Sequence, residues 1–211
     1  MTDAHDRPSA PVPARPTIRD LTAAIENCRA CDLWVEATQP VMGEGPRKAR
    51  LMLVGEQPGD REDREGHVFV GPAGRVLDEA FERTGVDRDA VYLTNAVKHF
   101  RYSVRGKRRI HQVPARRQVS ACLPWLRAEL KMVAPDALVL LGAIAAQGLL
   151  GPQIRIGRDR GRPIDSDLAR LVIVTTHPSA VLRAGDYSDR RAAMDAFVAD
   201  LELVVSWLDR R

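Results

Sequence analysis

Four short apolar runs punctuate the chain: LMLVG (51–55), VYLTNAV (91–97), ALVLLG (137–142) and LVIVTT (171–176). Each is bounded by turn residues and apolar on both alternate faces, which predicts strands covered on both sides, as in a parallel sheet. Longer amphipathic segments lie between them. AGRVLDEAFERTG (73–85) predicts a helix, with Gly85 where a C-cap glycine belongs. The segment from Pro114 to Val133, AIAAQGLL (143–150) and a last stretch from about Asp189 to Leu208 predict three more. Upstream, a helical pattern starts at Thr17 and runs through DLTAAIENC. The alternation predicts an α/β fold: a three-layer sandwich with a central parallel sheet of about four strands flanked by helices. No internal repeat interrupts it.

Composition bounds this picture. With 211 residues, 45% of them hydrophobic, the chain suffices for one ordinary core, so residues 17–211 are read as a single domain. Residues 1–16, MTDAHDRPSAPVPARP, hold too few apolar groups to offset the entropy of ordering and are expected to be a disordered tail. No run has the length of a membrane span and the N-terminus lacks a signal-peptide stretch, so a cytoplasmic protein without a membrane partner is expected. The net charge of +4 is modest, but Lys and Arg crowd into 101–117 and 155–162, which points to a polyanion. Three cysteines in a reducing compartment argue against a disulfide framework. Metal or cluster ligation is the sharper reading, and buried structural thiols the plainer one.

Ligands of such sheets bind beyond the carboxyl ends of the strands. There the chain carries GEQPGD (55–60), Asn95 and HPSAVLR (177–183), with FVGPAG (69–74) converging on the same edge. Taken singly, these are turn chemistry, a strand-end cap and a helix start. The stretch GKRRIHQVP (106–114) places His111 behind Lys107, Arg108 and Arg109. In isolation that histidine is a bystander on a solvated loop.

As an ordered set, these segments resemble the uracil-DNA glycosylase superfamily, in which a GQDPY- or GEAPG-like turn, a strand-end Asn and an HPS segment build a uracil pocket. Cys28 and Cys31 are spaced so that both thiolates reach one metal centre. That pair resembles the iron–sulfur branch, related to family 4 uracil-DNA glycosylases. The resemblance implies a 4Fe-4S cluster on Cys28, Cys31, Cys122 and His99, the last standing where iron–sulfur members carry a cysteine after the lysine of NAVKHF. Imidazole does ligate iron in Rieske centres. A structural Cys₃His zinc site would use the same four residues.

The inserted KRRIH stretch, together with GEQPGD and NAVKHF, is similar to UdgX-type members of the superfamily. This resemblance implies excision of uracil from DNA, single-stranded DNA above all, and then a covalent bond between His111 and the abasic deoxyribose. Breaking the glycosidic bond leaves a cationic sugar carbon and a uracil anion, so donors for the anion and a nucleophile for the cation are needed. Hydrolytic relatives have a water-positioning Asp at the third place of the first motif, where this chain has Gln57, an amide that is no base. Adjacent Glu56 is suited to steady the cation or hold the imidazole.

Carried over by motif, the resemblance implies that Phe69 stacks on uracil, Asn95 reads its polar edge and His177 of the HPS segment donates toward O2, with Gly55 and Ser179 among the substrate-binding residues. Lys107, Arg108, Arg109 and Arg183 are placed for phosphates. Arg155, Arg158, Arg160 and Arg162 form a second basic strip without an assigned role. The expected partner is uracil-containing DNA and the expected state a monomer. Two other readings stay open: a turnover glycosylase in which water takes the sugar, and a zinc-stabilised, non-catalytic DNA-binding module.

Overall fold

A computed structural model describes residues 12–14 and 16–211. Most of the tail expected over residues 1–16 therefore lies outside the described residues. Val12 packs, partly buried, beside α1 (Ile18–Ile25). That helix opens on a capping box: Thr17 Oγ1 accepts from Asp20 N at 3.2 Å, and Asp20 Oδ2 accepts from Thr17 N at 2.8 Å.

Among the described residues six strands follow: β1 (Leu51–Gly55), β2 (Val91–Asn95), β3 (Tyr102–Arg105), β4 (Arg108–His111), β5 (Ala137–Leu141) and β6 (Leu171–Thr175). Four of them make a parallel sheet in the order β2-β1-β5-β6, and every residue of the four is buried. The apolar runs thus lie where expected. The strand order reverses between β1 and β5, the switch point at which such sheets open a crevice. The run 91–97 stops being a strand at Asn95, yet Ala96 N donates to Gly55 O at 2.9 Å and Val97 N to Glu56 O at 3.0 Å. The segments after β1 and β2 are therefore bonded side by side.

The remaining helices are α2 (Asp60–Glu65), α3 (Pro72–Thr84), α4 (Arg116–Val133), α5 (Ala143–Leu150), α6 (Ile156–Asp159), α7 (Ser179–Arg183) and α8 (Tyr187–Asp209). Gly85 ends α3 with φ 70°, the left-handed cap the sequence predicts. One sheet face packs Leu53, Val139 and Ile173 on Leu77 and Phe81 of α3 and Phe197 and Leu201 of α8. The other packs Met52, Tyr92, Leu138 and Val172 on Leu126 and Leu130 of α4 and Ala145 and Ala146 of α5. These are the three layers; removing a side chain as buried as Phe197 costs about 3–5 kcal/mol. No helix among the described residues is long and apolar enough to cross a membrane.

Two expectations change. The RGKRRIHQ stretch is not an irregular loop but an antiparallel hairpin, β3 on β4, turning at Gly106 with φ 60°. The second basic strip is largely structural: Arg160 binds Asp200 at 2.8 Å, beside Thr175, and Arg158 pairs with neighbouring Asp159 at 2.7 Å.

Candidate active site

A cleft of about 700 Å³ opens at the carboxyl ends of β1, β2 and β6. Glu56, Gln57, Phe69, Asn95, His111, His177, Ser179 and Arg183 all line it. Residues distant in sequence and singled out by motif thus share one cavity.

The floor is crowded by design of the backbone. Gly55 ends β1 against Asn95, and an added Cβ there would collide with Asn95 Oδ1 and stand 2.8 Å from Phe69 Cζ. Only glycine leaves both side chains their places. Phe69 holds a left-handed φ of 53°, rare for a bulky residue and the kind of local strain found at binding sites. Arg88, itself paired with Asp78, donates to Phe69 O at 3.2 Å and keeps that turn. Glu62 also braces the floor, accepting from Gly59 N at 3.1 Å and Gly71 N at 2.8 Å. The rings of Phe69 and His177 lie 6.4 Å apart at 28°.

His177 is kept uncharged. Burial pushes its pKa down to about 4, against an opposing pull from Glu56, and Arg183 and His111 push the same way as burial. Ser179 N donates to His177 Nδ1 at 3.2 Å, so Nδ1 is an acceptor and the ring proton is assigned to Nε2. The neutral ring is then a donor. Arg183 reaches Ser179 Oγ at 2.8 Å and so braces the same turn.

His111 stands at the end of β4, at the base of the hairpin, with its side chain about half exposed. Its Nε2 lies 3.2 Å from Glu56 Oε1. The approach lacks hydrogen-bond alignment, and Oε1 remains a buried acceptor with no hydrogen-bond partner. The hairpin is anchored at three points. Gln57 Nε2 donates to Arg101 O and Gln112 O, each at 3.1 Å, while its Oε1 accepts from Arg101 N at 3.0 Å. The Tyr102 hydroxyl donates to Glu36 O at 2.9 Å. Arg109 binds Asp60 and, at 2.6 Å, Asp63, with its guanidinium over the rings of Tyr102 and Phe100. Arg109 therefore faces protein carboxylates, whereas Lys107 and Arg108 face solvent.

Cys28, Cys31 and Cys122 meet in one cluster with Leu21, Leu33 and Trp125. His99 is also buried, and burial pushes its pKa down to about 4, which leaves the neutral imidazole that metals bind. Burial raises the Cys122 thiol to about 12, while Lys98 N already donates to its Sγ at 3.3 Å. Burial also raises the Cys31 thiol, against a hydrogen bond from the Leu33 main chain. Main-chain donors aimed at sulfur suit a ligating thiolate. Among the described residues, no three His, Cys, Asp or Glu side chains converge tightly enough to hold one ion.

Sequence reasoning passed over Glu62, Asp60, Asp63, Arg88, Lys98 and Glu129. Only Asp60 and Asp63 carried a signal, the i,i+3 spacing that puts both on one side of α2.

Residues 42–202 match the family described as the uracil DNA glycosylase superfamily. The chain is 34% identical over 187 residues to a type-4 uracil-DNA glycosylase of Thermotoga maritima, covering 88% of this chain and 92% of that one. It is 36% identical over 173 residues to a type-4 uracil-DNA glycosylase of Pyrobaculum aerophilum, with 79% and 85% covered. A type-5 uracil-DNA glycosylase of the same organism is 30% identical over 150 residues, with 64% and 63% covered.

Proposed function

The chain belongs to the uracil DNA glycosylase superfamily, and from that premise we propose that it excises uracil from DNA and stays bonded to the abasic sugar through His111. The observation that carries this reading is the 3.2 Å approach of His111 to Glu56 inside the cleft that also holds Phe69, Asn95 and His177.

The target nucleotide enters the cleft flipped or from a single strand. Phe69 stacks on the base, the Asn95 amide pairs with its polar edge, and the Nε2 proton of neutral His177 donates to O2. These donors stabilise the departing anion as the bond from C1′ to N1 breaks and both electrons leave with uracil. The lone pair of an unprotonated His111 nitrogen then bonds C1′. Glu56 takes the proton from the other nitrogen, so the adduct ends as a neutral alkylated imidazole. Anchored at its base, the hairpin holds the nucleophile near the carbon, where proximity multiplies the rate of capture. Lys107, Arg108 and Arg183 position the strand through its phosphates.

Cys28, Cys31, Cys122 and His99 are the residues that would hold a 4Fe-4S cluster, and His99 replaces the fourth cysteine. Such a cluster would tie the segment after α1 to α4 and to the segment after β2. The reading also places the protein in the cytoplasm as a monomer on DNA.

A turnover enzyme is the second reading, because Glu56 lines the cleft and its carboxylate is the group there that would orient an attacking water. Counting uracil released under excess of a uracil-containing single strand separates the two. A burst of one uracil per protein supports self-trapping, steady release supports turnover, and no release refutes both.

A further inference from the structure

Lys98 is fully buried, and no step of the proposed chemistry uses it. Its ammonium has three protons and three partners: Glu129 Oε2 at 2.5 Å, Thr94 Oγ1 at 2.6 Å and the main-chain carbonyl of Asn95 at 2.7 Å. Glu129 is equally occupied. Its Oε1 accepts from Gly43 N at 2.7 Å and the Tyr92 hydroxyl at 3.1 Å, and its Oε2 accepts from Thr94 Oγ1 at 2.9 Å.

Stability alone is a poor reason for this arrangement, since the desolvation of two buried charges offsets much of their attraction and well-packed apolar residues often do as well. Its geometric effect is specific. The peptide group that follows Asn95 is held at both ends: the Asn95 carbonyl accepts from Lys98 Nζ, and the Ala96 N–H donates to Gly55 O at 2.9 Å. Fixing that peptide plane fixes the backbone rotation at Asn95, and with it the direction of the side chain. Asn95 has little other freedom, because its Oδ1 is already crowded against Gly55. The main chain of Lys98 is bound in turn: its N–H donates to Cys122 Sγ at 3.3 Å and its carbonyl accepts from Val41 N at 2.8 Å. One residue therefore touches the strand end that reads the base and the cysteine set beneath it.

We propose that Lys98 is a positioning residue for base recognition: by holding the Asn95 carbonyl it aims the Asn95 amide into the cleft, and Glu129 keeps the ammonium in place. The inference rests on the reading of the cleft as a uracil pocket. It adds a determinant of specificity that never touches the substrate.

The test uses the full chain and two probes, a uracil-containing single-stranded oligonucleotide and free uracil as an inhibitor. In the paired variant Lys98→Met with Glu129→Gln, both charges go and the amide retains partners for Gly43 and Tyr92. The expected result is a single-turnover excision rate at saturating DNA at least tenfold below wild type and inhibition by free uracil at least tenfold weaker. Affinity for a uracil-free strand, melting temperature and bound metal stay close to wild type. Excision and uracil inhibition within twofold of wild type would overturn the proposal. So would a loss of rate with unchanged uracil inhibition, the mark of a merely structural role.

Should the paired variant not fold, Thr94→Val decides, because it keeps the shape and the ion pair while removing one bond from the ammonium. A threefold or greater weakening of uracil inhibition is expected, and none would sink the idea. If wild-type protein itself releases no uracil, the pocket reading has failed and this inference falls with it. If wild type is active and the variants match it, only this inference falls.

Discussion

The side-chain amide of Gln57 donates to the carbonyl of Gln112 at 3.1 Å, one residue beyond His111. The same side chain bonds both main-chain groups of Arg101, next to the first residue of β3. One glutamine thus closes the two strands of the hairpin at their base. On the proposed reading, the residue found where the family resemblance implies a water-positioning aspartate instead clamps the base of the hairpin that carries His111.

Gln57→Ala should therefore slow capture of the sugar more than departure of the base. Three neutral hydrogen bonds at about 1 kcal/mol each bound the loss, so adduct formation should fall between about fivefold and about 160-fold. Rapid-quench time courses that follow released uracil and bonded strand separately check this. Equal slowing of both would show that Gln57 does not act through the hairpin.

The cations of the hairpin should divide by what they face. Arg109 is bound to Asp60 and Asp63, so Arg109→Lys, which lacks the planar fork, should slow adduct formation while leaving the salt dependence of DNA binding unchanged. Lys107→Ala and Arg108→Ala should do the reverse, each lowering the salt slope for single-stranded DNA by about 0.7 if it contacts a phosphate. Binding titrations at several salt concentrations read this directly. A smaller slope in Arg109→Lys would return that arginine to the DNA surface.

Much of the fold could be read from the chain because the sheet is covered on both faces. Strands with two buried faces stay apolar at consecutive positions, which is why LMLVG and ALVLLG stood out. The cleft residues could be read as well, since strand ends carry them in chain order. The hairpin could not: it has almost no apolar alternation, and its order comes from Gln57, Glu36 and α2, all remote in sequence. Arg109 looks like its neighbours in a basic run, and its carboxylate partners lie 49 and 46 residues away. Lys98 and Glu129 escaped because charged residues are rarely placed in a core.

Stability should fall as the medium is acidified from about pH 6.5, and His177 should account for part of it. Its pKa is about 4 in the folded chain against an ordinary value of 6.5. Below 6.5 the unfolded chain gains a proton that the folded chain does not take, so folding is disfavoured until about pH 4. At pH 5 the contribution is about 2 kcal/mol, at 1.36 kcal/mol per unit. Denaturant unfolding of wild type and His177→Gln at pH 7 and pH 5 should show the smaller acid loss in the variant. Equal losses would contradict the neutral, largely desolvated ring.

Purified protein should be brown and carry about four irons per chain, as a cubane cluster requires. Cys122→Ser should lose iron and melt at lower temperature, since the thiol lies at the core of its cluster of side chains. Metal analysis that finds one zinc and no iron would replace the cluster with a tetrahedral site.

The central claim is that His111 is the nucleophile, and the most direct measurement is a denaturing gel of wild type and His111→Ser after incubation with a uracil-containing single strand. In the proposed reaction base departure relies on Phe69, Asn95 and His177, none of which the substitution alters. Capture of the cation requires a nucleophile within about 3 Å, and the serine hydroxyl, shorter than the ring, falls short of both the carbon and the Glu56 carboxylate that His111 Nε2 approaches. Wild type should give a retarded band that survives denaturant. His111→Ser should give none, while still releasing uracil and leaving an abasic strand over repeated turnovers. A denaturant-resistant band in His111→Ser, or its absence in wild type, would contradict the account.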